Sequence, residues 1–488
     1  MSNIRSLPHR HQLDVVDADV IAAIHDHALQ ILERTGIATT SERLLKLMAE
    51  HDQQVDFEQQ RIRFDPAFVE SRRALAPRTL LFGARDPSLD LVLDGTRGYL
   101  SPDGCAPQIL DLDTGRRRAS TKADLGATTR LSDALPEIGL MWRSVAAGDT
   151  PSEVRSLHEV EVQFANTTKH LQTGSGTDGF NARGVVELCR TVAGSADALR
   201  ERPLLSSNQC VISPLFWDEG PVDAIEIYAE AGIPISVISM AIACATTPAT
   251  LAGLIALTLA EILSGLTILQ TLQPGAPALC TGYPSTMDLH SGALNLASGP
   301  DDAMAHLVCT QVLKHLGLPS GTALGGTGAK SSDWQAGMQA MLSAMATAVN
   351  PADIFNGAGG LYGSNVFSPT QLLLDREIFD VAVRWAEGYA FDEEDFATPV
   401  IEEVGPGGHF LGSKHTLRHM RELWRSQVMD TSTWEAWETA GRPEPAAAAE
   451  AEARRLLAEH QAEPLDDGIA AELARIVAAY EREALADH

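Results

Sequence analysis

Seven short apolar runs, each breaking off into small or polar residues, recur along residues 138–361: IGLMWRSVA, HLQTGSG, PLLSSNQCVIS, PISVISMAIAC, PALCTGYPS, SGTALGGTG and DIFNGAGGL. Successive runs stand roughly 30–45 residues apart with helical stretches between them, the length that one strand and one returning helix require. Strands apolar along nearly their whole length are buried on both faces, and connections this long make neighbours parallel. With an eighth strand supplied from the preceding region, the pattern predicts an α/β protein built on a (β/α)8 TIM barrel. A doubly wound open sheet is the alternative, but no GxGxxG follows an early strand.

Three regions are expected from this rhythm. Residues 1–137 form a helical and β extension, 138–400 the barrel core, and 401–488 a C-terminal cap and helical tail. In the extension, Val20, Ile21, Ile24, Ala28, Ile31 and Leu32 fall at helical spacing, and Gly36 ends the pattern. A second amphipathic turn runs through Leu44, Leu45 and Met48, and the stretch 89–119 carries Asp-Gly and Asp-Thr-Gly turns that suggest hairpins. After Pro445 the tail is rich in Ala, Glu and Arg at helical spacing, a solvated helix that could pack on a neighbouring subunit in a homo-oligomer.

The segment GTALGGTGAKSSDWQAG imitates a phosphate loop but lacks its chemistry. A phosphate loop needs glycine directly before the lysine so that N–H groups and ammonium converge. Here Ala329 separates Gly328 from Lys330. Comparable small or polar residues close several runs: Thr173-Gly174-Ser175-Gly176, Asn208-Gln209-Cys210, Thr281-Gly282-Tyr283, Gly325-Gly326-Thr327-Gly328 and Asn356-Gly357-Ala358-Gly359-Gly360. They fit a barrel mouth wide enough for a bulky group to approach, or simply turns where glycine reaches positive φ without steric cost.

Charge excludes other classes. Lys+Arg of 37 against Asp+Glu of 65 gives 37 − 65 = −28, a surface that repels nucleic acid and anionic lipid. The longest apolar stretch, ISMAIACATTPATLAGLIALTLAEILSGLTILQ, is broken by Thr, Pro and Glu and reads as a strand, a loop and a buried helix, so no membrane span is expected. The N-terminus has no signal-peptide pattern, and six dispersed cysteines, Cys105 among them, without a CxxC pair suit reduced thiols in a cytoplasmic enzyme.

Isolated constellations carry less. His415 and His419 would share a helix face with Glu422, but Lys414, Arg418 and Arg421 oppose a cation, so no metal is expected. His409 follows a flexible Gly-Pro-Gly-Gly and could hydrogen-bond a ligand. DLHSGA (288–293) approaches the Asp-x-His-x-x-Gly pattern of cobalamin-ligating histidines, but its Gly292 falls one residue early. Lys330 as a Schiff-base former would belong in an apolar pocket, not a polar loop.

Taken in order, the motifs IHDHALQILERTGI, VDFEQQRIRF, TKADLGATTRLSDALPEI, AKSSDWQAG, FNGAGGLYGS followed by LLLDREI, and GPGGHFLGSKHT resemble the trimethylamine methyltransferase family over nearly the whole chain. The resemblance is to the branch without pyrrolysine, which includes glycine betaine methyltransferases. FNGAGGLYGS departs from the family's Gly-Trp-Leu-Glu-Gly stretch, with Gly360 and Tyr362 at the Trp and Glu positions, which implies a changed pocket.

The resemblance implies a TIM barrel that docks a separate corrinoid protein over its mouth. It also implies methyl transfer from a small quaternary amine, glycine betaine or a relative, to that partner's Co(I) cobalamin. Such a substrate is held by aromatic faces and polar groups, and the candidates are Tyr283, Trp334, Phe355, Asn356, Tyr362 and His409. Candidates facing the corrinoid are Gly174, Asn208, Gly326, Gly328, Asp333 and Gly359. The rival readings are a barrel lyase or aldolase using Lys330, and a non-catalytic binder of quaternary amines.

Overall fold

Every one of the seven apolar runs forms a strand of one sheet. The computed structural model describes residues 3–104, 106–174, 178–295, 299–350 and 352–486, so Cys105, Ser175 and Gly176 lie outside the described residues. The sheet strands are β1 (Arg97–Pro102), β2 (Leu140–Trp142), β3 (His170–Gln172) and β4 (Leu205–Cys210), then β5 (Ile235–Ser239), β6 (Ala278–Gly282), β7 (Ser320–Ala323) and β8 (Ile354–Ala358). A helix follows each: α1 (Lys122–Asp133), α2 (Arg155–Phe164), α3 (Gly179–Ala193) and α4 (Glu219–Glu230), then α5 (Leu251–Leu272), α6 (Pro300–His315), α7 (Trp334–Val349) and α8 (Pro369–Glu387).

The result is a mixed α/β fold around a curled, nine-stranded, largely parallel sheet. Its ninth strand, Leu7–Pro8, pairs antiparallel with the start of β1. Strand β1 comes from the region before residue 138, and it pairs in parallel with β8. At the other end of the sheet order stands β2, and Leu100 of β1 forms a parallel bridge to Ile138 just before it, with the Gly139 N–H donating to the Leu100 carbonyl at 2.8 Å.

The two ends of the strands differ. At their N-terminal end an apolar hairpin, Leu80–Phe82 with Leu91–Leu93, packs against Tyr99, Leu140, Leu279 and Ile354. Phe82 stacks on buried His170 at 4.3 Å, and burial lowers that imidazole to about 4, so it is neutral there. The C-terminal ends carry the polar and aromatic residues described below.

Helix α5 is long and apolar enough to cross a membrane, but it is buried inside the protein from Leu254 to Thr271. The N-terminal helix Ala18–Arg34 lies across it and buries Ile21, Ile24, Ala28 and Leu32, the stripe that the 3.6-residue period marks. Asp17 caps that helix by accepting from the Val20 N–H. Within α5, Glu261 is buried yet satisfied by the hydroxyls of Ser213 and Ser239 and by the Leu215 N–H.

Beyond α8 the chain changes character. From residue 388 to 444 no residue is buried, and the segment is tied to α8 through Trp424 Nε1–H on Asp380 and the Gln427 N–H on Glu377. The tail then returns as Pro445–Glu459, which packs on α8, and Asp467–Ala486, which packs on α3.

Candidate functional site at the strand C-termini

Side chains alternate along a strand, so one residue of a pair faces the sheet interior and its neighbour faces the helices. In β8 the inward residue is Asn356, which accepts from the Tyr283 hydroxyl at 2.8 Å. Phe355 therefore points outward and packs against Phe379 of α8 with ring centroids 6.3 Å apart. The expectation that Phe355 binds substrate is corrected: strand period makes it core.

The inward residues at this end form a ring of neighbours. Trp142, closing β2, lies nearly parallel to Tyr283, closing β6, at 11° with centroids 6.4 Å apart. Trp142 is oriented by its Nε1–H, which donates to the Thr173 carbonyl at 3.0 Å. From Tyr283 the hydroxyl leads to Asn356, and β8 runs on to Gly360, which sits against the carboxylate of Asp103. Gly104, next in chain, closes the ring on Trp142. Both approaches demand glycine. A Cβ on Gly360 would lie 2.2 Å from Asp103 Oδ2, and one on Gly104 would lie 2.1 Å from the Trp142 ring.

These residues are buried, yet several polar atoms among them have no hydrogen-bond partner. Asp103 Oδ2, Asn208 Oδ1 and Asn356 Nδ2 are such atoms. An unpaired buried polar atom costs about 1–3 kcal/mol, so a cluster of them is a place prepared for a ligand. Burial pushes the Asp103 carboxyl up to about 7 despite its bonds from Ser364 and Gly104. Asp375, across the Gly359–Gly360 turn, is also raised to about 7 by burial and by Asp103, against bonds from the Gly359 N–H and Gln371. His306, beside the Tyr283 ring, is lowered to about 4 by burial and is therefore neutral.

Around this buried ring the loops that follow the strands expose apolar side chains: Ile212 after β4, Met240 after β5, Leu289 after β6 and Tyr362 after β8. They make a rim at one end of the sheet.

The other expected residues fall in different places. Asn208 is interior and donates to the Thr173 carbonyl, and Gly174 lies beside the Arg143 guanidinium, which is held by Glu159. Gly326, Gly328 and Gly359 are buried in the turns after β7 and β8. Trp334 is 79% exposed and Asp333 caps α7. Together they line a surface groove of about 700 Å³ with Met338, Met341, Leu374 and Val381. They stand at the N-terminal end of α7 and belong to this groove rather than to the buried ring. His409 is exposed in the 388–444 segment, which holds no buried residue.

Lys330 is exposed, donates to the Gly328 carbonyl and lies over the Tyr362 ring at 5.1 Å. That is not the desolvated setting that activates a Schiff-base lysine. His415 and His419 stack at 4.2 Å, and His419 bonds Glu422. No group of three metal-ligating side chains occurs among the described residues. DLHSGA is an exposed turn in which Asp288 caps the His290 and Ser291 N–H groups.

Sequence reasoning missed Trp142 and Asp103. Trp142 was visible as the bulky end of IGLMWRSVA, and Asp103 as a polar residue in the SPDG turn, but only the meeting of the β1 and β2 ends gives either a role.

A curled parallel sheet with its polar cluster at the strand C-termini defines a class of α/β enzymes whose sites sit at that face. Relatives locate it further. The sequence profile of the trimethylamine methyltransferase (MTTB) family matches residues 2–484. A trimethylamine methyltransferase MttB of Desulfitobacterium hafniense is 34% identical over 93% of this chain and 91% of its own length. A glycine betaine methyltransferase of the same species is 32% identical over 95% and 96%. MttB of Methanosarcina barkeri is 26% identical over 96% and 95%. The fold is similar to that of the Methanosarcina barkeri monomethylamine methyltransferase MtmB, at a TM-score of 0.51 and 10% identity over 93% of this chain and 90% of that one. The chain belongs to the trimethylamine methyltransferase family, and it is an enzyme of the methyltransferase class.

Proposed function

We propose that this enzyme moves a methyl group from a small quaternary amine to the Co(I) corrinoid of a separate protein, at the open face of an eight-stranded (β/α)8 barrel. Eight parallel strands, each followed by a helix, and the Leu100–Ile138 bridge support the barrel reading. The observation that carries the function is the ring of Trp142, Tyr283, Asn356 and Asp103 at the strand C-termini.

A quaternary ammonium carries its charge before reaction, so a neutral amine departs and no proton donor is required. The work left to the protein is to orient one N–CH3 bond and exclude water. Trp142 and Tyr283 offer aromatic faces to the cation at roughly 0.5–2 kcal/mol each, and Asn208 and Asn356 offer amide groups. The corrinoid supplies the cobalt nucleophile that accepts the methyl group. The chain's own residues fit a delivered rather than a resident corrinoid: the DLHSGA turn is exposed, and the rim of Ile212, Met240, Leu289 and Tyr362 is apolar enough to receive another protein.

The test is methyl transfer from a panel of glycine betaine, choline, carnitine and trimethylamine to Co(I) cobalamin or a corrinoid protein, followed by the cobalt absorbance. Transfer from a quaternary amine supports the reading, and failure with all of them overturns it.

A further inference from the structure

Asp103 is the odd member of the ring. Its Oδ1 accepts from the Gly104 N–H at 2.9 Å and from the Ser364 hydroxyl at 3.0 Å. Its Oδ2 is buried without a donor. Asp103 directly follows β1, and its chain neighbour Gly104 lies against the Trp142 ring. Gly360, on the continuation of β8, leaves room for the same Oδ2, which a Cβ there would meet at 2.2 Å.

The charged groups nearby do not balance it. Asp375, on α8, adds a second carboxylate rather than a cation. His306, on α6, is neutral, and Arg143 is turned to Glu159 on α2. Lys330 is exposed and bonded to the Gly328 carbonyl. Among the described residues the ring therefore presents aromatic faces, amides and a carboxyl group whose ionisation a bound cation would favour, and no positive side chain.

We propose that the site takes a compact quaternary ammonium with uncharged arms, of the tetramethylammonium or choline kind, with Asp103 as its counter-charge, and discriminates against zwitterions whose carboxylate adjoins the nitrogen. The inference rests on the quaternary-amine reading above and narrows its substrate class. A carboxylate two bonds from the ammonium would be brought beside Asp103 in a dry site, where like charges repel strongly. A methyl or hydroxyethyl arm meets no such opposition, and its ammonium supplies the charge that Asp103 lacks.

The experiment is a titration of the intact protein with tetramethylammonium, choline and glycine betaine, read by calorimetry and by Trp fluorescence, for wild type and Asp103→Asn. Wild type is expected to bind choline or tetramethylammonium about tenfold or more tighter than glycine betaine. Asp103→Asn is expected to erase most of that preference and, above pH 7 where the buried carboxylate is ionised without a counter-charge, to melt at a higher temperature; a purely structural role would lower the melting temperature instead. Equal or tighter wild-type binding of glycine betaine overturns the inference while leaving methyl transfer from quaternary amines standing, and the wild-type panel decides this even if the variant fails to fold. Binding of none of the three, with no transfer, overturns both readings.

Discussion

The ring at the strand C-termini and the segment 388–444 are opposites. In the ring, polar groups are buried with their hydrogen-bonding capacity unspent: Asp103 Oδ2, Asn208 Oδ1 and Asn356 Nδ2 all lack partners. In the segment no residue is buried, while Phe391, Leu411, Leu417 and Trp434 are each more than 60% exposed. The ring is held at a cost in stability by the sheet around it, which is how a site is kept ready for a ligand. The segment contributes little to the core and is free to differ without unfolding the sheet. Functional change should therefore be steep at the first and shallow at the second.

The largest effect is expected for Trp142→Ala. Loss of the ring face and its packing should lower kcat/KM for methyl transfer about 100-fold, from roughly 2–3 kcal/mol of lost contact. A melting curve on the same variant separates this from unfolding. Gly360→Ala comes next, because its Cβ would collide with Asp103 Oδ2. Displacement of that carboxylate should weaken cation binding about tenfold, measured by calorimetry, and unchanged binding would break the claimed contrast. Tyr283→Phe removes the hydroxyl bond to Asn356 and should cost about fivefold, near 1 kcal/mol, in KM rather than in fold.

Smaller still is a stability change with pH. Asp103 and Asp375 are both raised to about 7. Between about pH 4 and pH 7 the folded protein thus holds protons that the unfolded chain has released. Their ionisation in the fold is unfavourable, so stability falls as pH rises through that window. Melts across it should show a decline that flattens in Asp103→Asn and Asp375→Asn. The least effect belongs to the outlying residues: Trp334→Ala should change methyl transfer less than about twofold. Limited proteolysis should cut first within 388–444, ahead of any cut in the strands.

Much of the fold was legible because burial writes itself into spacing. All seven apolar runs became strands, the stripe Ile21, Ile24, Ala28 and Leu32 became the buried face of a helix, and the Leu44, Leu45 and Met48 turn was buried as expected. The eighth parallel strand was harder, since RGYLSP sits among hairpin turns and its partner β8 is far away in sequence. Of the aromatic candidates near strand ends, Tyr283 alone lies in the ring. Phe355 and Asn356 are adjacent in sequence and serve opposite faces, and no count of aromatics can assign a face without knowing the register.

The sequence by itself determined the strand and helix rhythm, the family and the polar ends of the runs, because periodicity and local turn chemistry depend on near neighbours. The tertiary structure decided which of those ends meet. Trp142, Tyr283, Asn356 and Asp103 come from four separate strand ends, and their union depends on the curl of the sheet and on two glycines that leave no Cβ in the way. Charge balance at the site is likewise a property of that meeting, since a carboxylate is unpaired only when its surroundings in space hold no cation.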